Sequence, residues 1–237
     1  MKRILLMLLR SFFSLPVWFY QLKRLCNIEQ HDRFERYAWL HKNAPVANRR
    51  GRVTIDCHGL ENLPKENGYI LFPNHQGLFD ALAFLETHER PFVTVMKKEV
   101  KDIFFLRDVI KLLQAEIIDR EDIRQSMTVI KNMTIRVKDG ENFIIFAEGT
   151  RSKKGNQIGE FKGGSFKSAM NARCPIVPVA LIDSFKAFDT SSIKKITVQI
   201  HYLRPLYYED YKGMKSTEIA ELVENMIKET IAKFAQE

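Results

Sequence analysis

The stretch FPNHQGLFD, residues 72–80, holds a histidine and an aspartate five positions apart. On a regular helix, residues five apart differ by about 140° in direction, so an unbroken helix cannot bring these two side chains together. We therefore predict that His75 lies in a turn, for which Gly77 supplies backbone freedom, and that Asp80 begins the next helix. Asp80 would then accept a hydrogen bond from one ring nitrogen of His75, leaving the other free to act as a general base.

The sequence does not name the hydroxyl that such a base would activate. A Ser-His-Asp hydrolase requires a serine on a sharp GxSxG turn, and the nearest candidate, GGSFK at residues 163–167, lacks the closing glycine. Two hypotheses stay open on this local pattern. Either His75 activates a hydroxyl of the substrate, or it is a structural histidine, as most single histidines are.

A second loop, FAEGTRSKKG at residues 146–155, combines a carboxylate, hydroxyls and cations directly after an apolar run. Backbone amides near Gly149, the Thr150 hydroxyl and the Arg151 guanidinium would form a phosphate cradle. A solvated turn with a run of surface charge is the alternative. A phosphate loop of the nucleotidase kind is excluded, because residues 159–165 have the GxxxxG spacing but serine where lysine is required.

Composition restricts the class of protein. The chain has 237 residues, 45% hydrophobic and 28% charged, which is typical of one substantial globular domain with a short extra segment. Its net charge of +8 indicates an anionic partner: nucleic acid, an anionic membrane or a phosphorylated substrate. The basic residues are dispersed and no nucleic-acid-binding signature occurs, so we expect no nucleic acid partner.

Cys26, Cys57 and Cys174 lie far apart, which argues against disulfides and a metal site and suits a reducing cytosol.

Residues 53 onwards alternate between short apolar runs and segments with helical spacing. This alternation predicts an α/β fold, with a mixed, largely parallel sheet flanked by helices. The predicted strands are VTIDC, YILF, PFVTV, AEIID, NFIIF, PIVPVAL and ITVQIHYL. Both loops with candidate chemistry follow the ends of predicted strands, where open α/β sheets bind ligands.

The N-terminal segment has a different character. Residues 1–45 predict two helices, the first kinked or ended at Pro16 and the second at about residues 28–42. The polar stretch NAPVANRRGR then marks a boundary, which gives an N-terminal helical segment at residues 1–45 and an α/β domain at residues 46–237. Basic residues interrupt the apolar ones, so no run reaches the ~18–20 residues that a membrane-spanning helix needs. The pattern predicts a membrane-associated helix pair lying in the interface, with packing on its own domain as the alternative.

The two loop motifs, NHQGLFD and FAEGTRS, together resemble the 1-acylglycerol-3-phosphate acyltransferase family, the lysophosphatidate acyltransferases with an HxxxxD motif. Three further blocks resemble those of the family, in the family's order: VMKKEV (residues 95–100), AEIIDR (115–120) and PIVPVAL (175–181). The resemblance covers roughly residues 53–205. It implies an enzyme of phospholipid biosynthesis that moves a fatty acyl group from an acyl thioester to the sn-2 hydroxyl of 1-acylglycerol-3-phosphate, giving phosphatidic acid.

The resemblance also implies roles for residues. His75 and Asp80 would be the catalytic pair, with Asp80 orienting the base. The implied substrate-binding residues, with the basic ones on the substrate phosphate, are Lys97, Arg120, Glu148, Gly149, Thr150 and Arg151. No cofactor or metal is implied, only acyl-CoA or acyl carrier protein as the acyl donor. The implied location is the cytoplasmic face of the cell membrane, peripheral or monotopic.

Three positions depart from the family pattern and put the acceptor in question more than the reaction. Ala147 stands in place of a proline, Gln114 in place of a glycine, and Glu116 adds an acid that would repel phosphate if it faced the site. The nearest alternative is therefore an acyltransferase acting on glycerol-3-phosphate or another lysophospholipid. A hydrolase and a non-catalytic membrane-binding protein are the alternatives from other classes.

Overall fold

The computed structural model describes residues 2–97, 104–119 and 122–235. They form an α/β fold around one mixed sheet of seven strands. The strands are β1 (Val53–His58), β2 (Ile70–Pro73), β3 (Phe92–Lys97), β4 (Glu116–Ile118), β5 (Asn142–Ile144), β6 (Ile176–Ile182) and β7 (Ile196–Tyr202). The helices are α1 (Lys2–Ser11), α2 (Leu15–Leu25), α3 (Arg33–Arg50), α4 (Asp80–Thr87), α5 (Phe104–Leu112), α6 (Ile123–Lys138), α7 (Lys167–Ala172), α8 (Phe185–Phe188), α9 (Tyr208–Tyr211) and α10 (Ser216–Phe234).

The strand order across the sheet is β1-β7-β6-β2-β5-β3-β4. Strands β6, β2, β5, β3 and β4 are parallel to one another, whereas β1 and β7 pair in parallel with each other and β7 runs antiparallel to β6. The prediction of a mixed, largely parallel sheet is confirmed. Because β2, β5, β3 and β6 end at the same edge, the loops that follow them are neighbours there.

Two hydrophobic clusters cover the two faces of the sheet. Side chains on β2 alternate between them: Leu71 joins the cluster under α3 and α4, whereas Ile70 and Phe72 join the one under α6, α7 and α10. Every residue of β6 is buried. Burial on both faces explains why these central strands are continuous apolar runs in the sequence.

The predicted N-terminal helix pair is present, and the described residues 2–50 form one helix more than predicted, with α1, α2 and α3. Pro16 lies in the first turn of α2, where a missing N–H costs no hydrogen bond, and does not end a helix there. Helix α3 runs through the polar stretch that was predicted to be a boundary, because Tyr37, Leu40, Ala44 and Asn48 keep one buried stripe at helical spacing. The helix therefore crosses position 45, and the division into two domains stays a prediction.

A buried arginine attaches α1 to the rest of the protein. Arg3 is fully buried and donates five hydrogen bonds to backbone carbonyl oxygens. The acceptors belong to Gly51 and Arg52, to Ala187 of α8, and to Ser192 and Lys194. Burial lowers the pKa of this guanidinium, and the five acceptors compensate for the lost water. Arg3 is thus a buried structural residue.

Helices α1 and α2 nevertheless keep an apolar surface. Exposed apolar or aromatic side chains on this pair and the turn between them are Leu5, Leu8, Leu9, Phe12, Phe13, Val17, Phe19 and Tyr20. Within the described ranges no single helix has the length and apolar content to cross a membrane, whereas α1 and α2 together, bent by 94°, meet those criteria.

Candidate active site

The candidate site begins in the loop that joins β2 to α4. Residues 74–79 are not helical, and α4 starts at Asp80, as the spacing of the motif predicts. The Nδ1 atom of His75 lies 2.8 Å from Oδ2 of Asp80. Since a carboxylate only accepts hydrogen bonds, Nδ1 carries the proton and, in the neutral ring, Nε2 carries the free electron pair.

The carboxylate of Asp80 is completely buried and surrounded by donors. Besides the ring of His75, Oδ2 accepts from the backbone N–H groups of Gln76 at 2.8 Å and Gly77 at 3.0 Å. Oδ1 accepts from the hydroxyl of Ser184 at 2.5 Å. Four donors to one buried carboxylate compensate for its lost hydration and fix its orientation towards the imidazole.

The imidazole of His75 is accessible on its other side. Its side chain is 22% exposed, and its ring packs on that of Phe146 with centroids 4.1 Å apart. Among the residues that the structure describes, Nε2 has no hydrogen-bond partner. The ring is therefore held through Nδ1 and through its face, and Nε2 is available to a substrate.

Glu148 links the two loops that the motifs identify. It is buried, its Oε1 accepts from the backbone N–H of His75 at 2.7 Å, and its Oε2 accepts from that of Gly159 at 2.8 Å. Burial raises the pKa of this carboxyl group, and the two backbone hydrogen bonds partly offset that effect. This geometry shows Glu148 bracing the loop, and its implied part in substrate binding stays a prediction.

The remaining residues of the second loop lie beside the pair. Gly149 adopts a left-handed φ of 78°, which glycine tolerates, and Thr150 is exposed. Arg151 is half-exposed, and its guanidinium lies 3.7 Å from a carboxylate oxygen of Asp189. The backbone N–H of Ser152 donates to the carbonyl of His75 at 3.0 Å, so this loop and the loop of His75 are joined through the main chain as well.

The family resemblance implies two further phosphate ligands, Lys97 and Arg120. Lys97 is the last residue of β3, whose end lies at the same edge of the sheet as the loop of His75. Arg120 lies outside the described residues. Their contribution to substrate binding stays a prediction.

Glu116, the acid that departs from the family pattern, is paired with an arginine away from the loop of His75. Glu116 begins β4, and its Oε1 lies 2.6 Å from the guanidinium of Arg136, near the end of α6. Arg136 also binds Glu141, which precedes β5 and so lies at the opposite edge of the sheet from the loop of His75. The expected repulsion of a phosphate by Glu116 has no structural basis here.

The backbone at Gln114 accounts for the glycine of the family pattern rather than for the glutamine that replaces it. Its φ is 48°, in the left-handed region that favours glycine, and its side-chain oxygen accepts from the guanidinium of Arg36 at 2.9 Å. Ala147 is fully buried, and its carbonyl accepts from the backbone N–H of Lys162. Neither substitution touches the histidine and aspartate.

Sequence reasoning missed the residues after β6. The side-chain amide of Gln76 donates to Asn156 at 2.9 Å and accepts from the backbone N–H of Ser184 at 2.8 Å. Asn156 in turn binds both the backbone and the carboxylate of Asp183. The available signal was the polar pair Asp183 and Ser184 directly after the buried strand IVPVALI, since β6 ends at the same edge as β2. In the described ranges no group of three or more histidine, cysteine or acidic side chains is placed to hold a metal ion.

Comparisons with known proteins bear on the family and the fold. The family model described as Acyltransferase matches residues 54–182, more than half of the chain, from the second residue of β1 to the last residue of β6. A probable 1-acyl-sn-glycerol-3-phosphate acyltransferase of Mycoplasma pneumoniae is 27% identical over 191 residues, which are 75% of this chain and 71% of that protein. The 1-acyl-sn-glycerol-3-phosphate acyltransferase of Borreliella burgdorferi is 30% identical over 151 residues, 63% of this chain and 60% of the relative.

A solved structure supports the fold over almost the full length. The crystal structure of the 1-acyl-sn-glycerophosphate (LPA) acyltransferase from Thermotoga maritima superposes with a TM-score of 0.77, at 20% identity, and covers 99% of this chain and 98% of that one. The common fold and the family match together lead to one conclusion: the chain belongs to the acyltransferase family.

Proposed function

We propose that the protein is a 1-acylglycerol-3-phosphate O-acyltransferase, which converts lysophosphatidic acid to phosphatidic acid. The observation that carries the proposal is the bond between His75 Nδ1 and the buried carboxylate of Asp80, with Nε2 left open. Both relatives described above are named for this reaction. The pairing of Glu116 with Arg136 removes the main sequence argument for a different acceptor.

The reaction needs one proton transfer and one acyl transfer. His75 Nε2 takes the proton of the sn-2 hydroxyl as the oxygen attacks the carbonyl carbon of the acyl thioester. Asp80 stabilises the imidazolium that forms, through the hydrogen bond to Nδ1. The C–S bond then breaks, and the leaving thiolate receives the proton from His75. The nucleophile is the substrate itself, so no acyl-enzyme intermediate is required.

The substrate phosphate would bind beside this pair. Arg151, the Thr150 hydroxyl and the backbone around Gly149 offer a cation and donors on the loop that Glu148 joins to His75. Lys97 and Arg120 are further candidates from the family resemblance. The acyl donor, acyl-CoA or acyl carrier protein, is anionic in either case and suits the net charge of +8.

The test is acyl transfer by the purified protein in detergent or lipid. Lysophosphatidic acid would be incubated with a donor whose acyl chain is radiolabelled, either acyl-CoA or acylated acyl carrier protein. We expect labelled phosphatidic acid. His75→Ala should lower the rate by about 10²- to 10⁴-fold, the usual contribution of a general base. His58→Ala is the matched control, because His58 is a half-exposed histidine paired with Asp56 at the opposite edge of the sheet.

Each outcome of that assay is informative. Equal activity of wild type and His75→Ala would refute the proposed role of His75. Labelled product with glycerol-3-phosphate or another lysophospholipid, but not with lysophosphatidic acid, would keep the reaction and change the acceptor. Free fatty acid as the main product would indicate a hydrolase.

We further propose that α1 and α2 bind a membrane surface, with the catalytic domain on its cytoplasmic face. The exposed apolar side chains of this pair support the proposal, together with the attachment of α1 to α8 through Arg3 and Ala187. The double substitution Leu9→Ser with Phe13→Ser should weaken binding to anionic phospholipid vesicles by about tenfold or more, since burying each such side chain contributes about 1.5–3 kcal/mol. Vesicle flotation measures this binding, and the control is Ile135→Ser, which changes an exposed apolar side chain on α6. Unchanged flotation of the double variant would refute the proposed membrane contact.

A further inference from the structure

A serine far from the motifs lies against the acid of the catalytic pair. Ser184 follows β6, 104 positions after Asp80 in the chain, and its Oγ lies 2.5 Å from Oδ1 of that carboxylate. Both residues have no exposed surface. A carboxylate accepts but does not donate, so the hydroxyl of Ser184 is the donor.

The two oxygens of Asp80 have different partners. Oδ2 accepts from His75, Gln76 and Gly77, whereas Ser184 is the partner of Oδ1 among the residues that the structure describes. Without the serine hydroxyl, Oδ1 would be a buried charged atom with no donor, and turning the carboxylate to share the remaining donors would move Oδ2 away from the imidazole. The serine therefore fixes the plane of the carboxylate.

Two side chains, Gln76 and Asn156, hold Ser184 and the residue before it in place. Its backbone N–H donates to the side-chain oxygen of Gln76 at 2.8 Å. The preceding residue, Asp183, has a left-handed φ of 64° and is bound through its backbone and carboxylate by Asn156. The hydroxyl thus approaches Asp80 from a loop that Gln76 and Asn156 hold in place. These two side chains also bind each other.

We infer that Ser184 is a positioning residue of the acyl transfer, acting through Asp80 on the orientation of His75. This inference rests on the proposed function. A direct role as an acylated nucleophile does not fit, because Oγ is fully buried and its proton is directed at Asp80. The expected result of losing the hydroxyl is a slower chemical step with unchanged substrate binding.

The experiment measures kcat and KM for lysophosphatidic acid and acyl thioester in wild type, Ser184→Ala and Ser184→Thr. Ser184→Ala should lower kcat about 10-fold, which corresponds to about 1.4 kcal/mol, and leave both KM values within about twofold. Ser184→Thr, which keeps the hydroxyl, should recover most of the rate. The matched control is Ser168→Ala, because Ser168 is a buried serine on α7 whose Oγ has no partner among the described residues.

A double-mutant cycle separates positioning from a general structural role. In an Asp80→Ala background, Ser184→Ala should cause no further loss, because the residue through which it acts is gone. Losses that multiply in the double variant would overturn the inference, and so would full activity of Ser184→Ala. If Ser184→Ala does not fold, Ser184→Cys, which has similar shape but a weak donor, replaces it with the same expectation.

The same assays distinguish a failure of the proposed function from a failure of the role inferred for Ser184. His75→Ala with wild-type activity would refute the general base and the serine's role with it. An inactive His75→Ala beside a fully active Ser184→Ala would refute only the role of Ser184.

Discussion

His75 and His88 lie at the two ends of one helix, since α4 begins five residues after the first and ends just before the second. In both rings Nδ1 contacts an oxygen acceptor: the Asp80 carboxylate at 2.8 Å for His75, and the Arg90 carbonyl at 2.6 Å for His88. The rings differ at the other nitrogen. Nε2 of His88 accepts from the hydroxyl of Tyr69 at 2.7 Å, whereas Nε2 of His75 has no partner among the described residues.

Their surroundings differ as much as their partners. His88 has no exposed surface, and burial lowers its pKa to about 4, so it is neutral at physiological pH. His75 is 22% exposed and faces a carboxylate that stabilises its charged form. A fixed tautomer is thus common to both histidines. A general base also needs an accessible nitrogen and an anionic partner that favours accepting a proton.

The strongest test of this comparison replaces the anionic partner of His75 by a neutral one. In Asp80→Asn the amide oxygen can still accept from Nδ1, as the Arg90 carbonyl does for His88, but the imidazolium loses its counter-charge. The amide can also turn its NH₂ group to Nδ1, which would move the ring proton to Nε2. We expect kcat to fall about 10²- to 10⁴-fold, close to the effect of His75→Ala.

Asp56→Asn is the matched control for that substitution, because Asp56 and His58 form a half-exposed pair at 3.1 Å at the opposite edge of the sheet. Acyl transfer by Asp56→Asn should equal that of wild type. Activity of Asp80→Asn within about tenfold of wild type would mean that the charge of Asp80 is not what distinguishes the two histidines.

The second test concerns His88 and the pH dependence of stability. An unfolded histidine binds a proton below pH 6.5, whereas His88 in the folded protein binds one only near pH 4. Its contribution to the unfolding free energy is therefore fully present above pH 6.5 and decreases as the pH falls towards 4. Between pH 7 and pH 5 this loss should be about 2 kcal/mol.

The substitution His88→Gln checks the assignment, because glutamine offers a donor and an acceptor but does not titrate. Urea unfolding at pH 7 and pH 5 should show a smaller decrease for the variant than for wild type. His201, whose pKa burial also lowers to about 4, contributes in the same direction in both proteins and cancels in the comparison. Equal decreases in the two proteins would show that His88 is not buried as described.

The two histidines also show how far sequence reasoning reaches. The strands lie close to their predicted positions, because apolar runs are local patterns. The five-residue spacing predicted the turn at His75 and the helix start at Asp80 for the same reason. The hydrogen bonds of Ser184 to Asp80 and of Tyr69 to His88, and the five carbonyl partners of Arg3, join residues far apart in the chain.

The length of α3 was missed for a related reason. The polar residues 43–52 indicated a domain boundary, yet Ala44 and Asn48 continue the buried stripe of α3, which only the packing of the folded chain reveals. Glu116 looked harmful to phosphate binding because the sequence does not state where a side chain points. Its partner, Arg136, lies 20 positions away on another element.

The smallest expected effect comes from freeing the second nitrogen of His88. Tyr69→Phe removes the hydroxyl that donates to Nε2 and leaves that atom unbound, as it is in His75. It should cost about 1 kcal/mol of unfolding free energy, the usual contribution of one buried hydrogen bond, with kcat unchanged. An open nitrogen without solvent access or an anionic partner does not create a base. If Tyr69→Phe lowered kcat more than a few-fold while remaining folded, the two ends of α4 would be coupled, and the separation between a structural and a catalytic histidine would not hold.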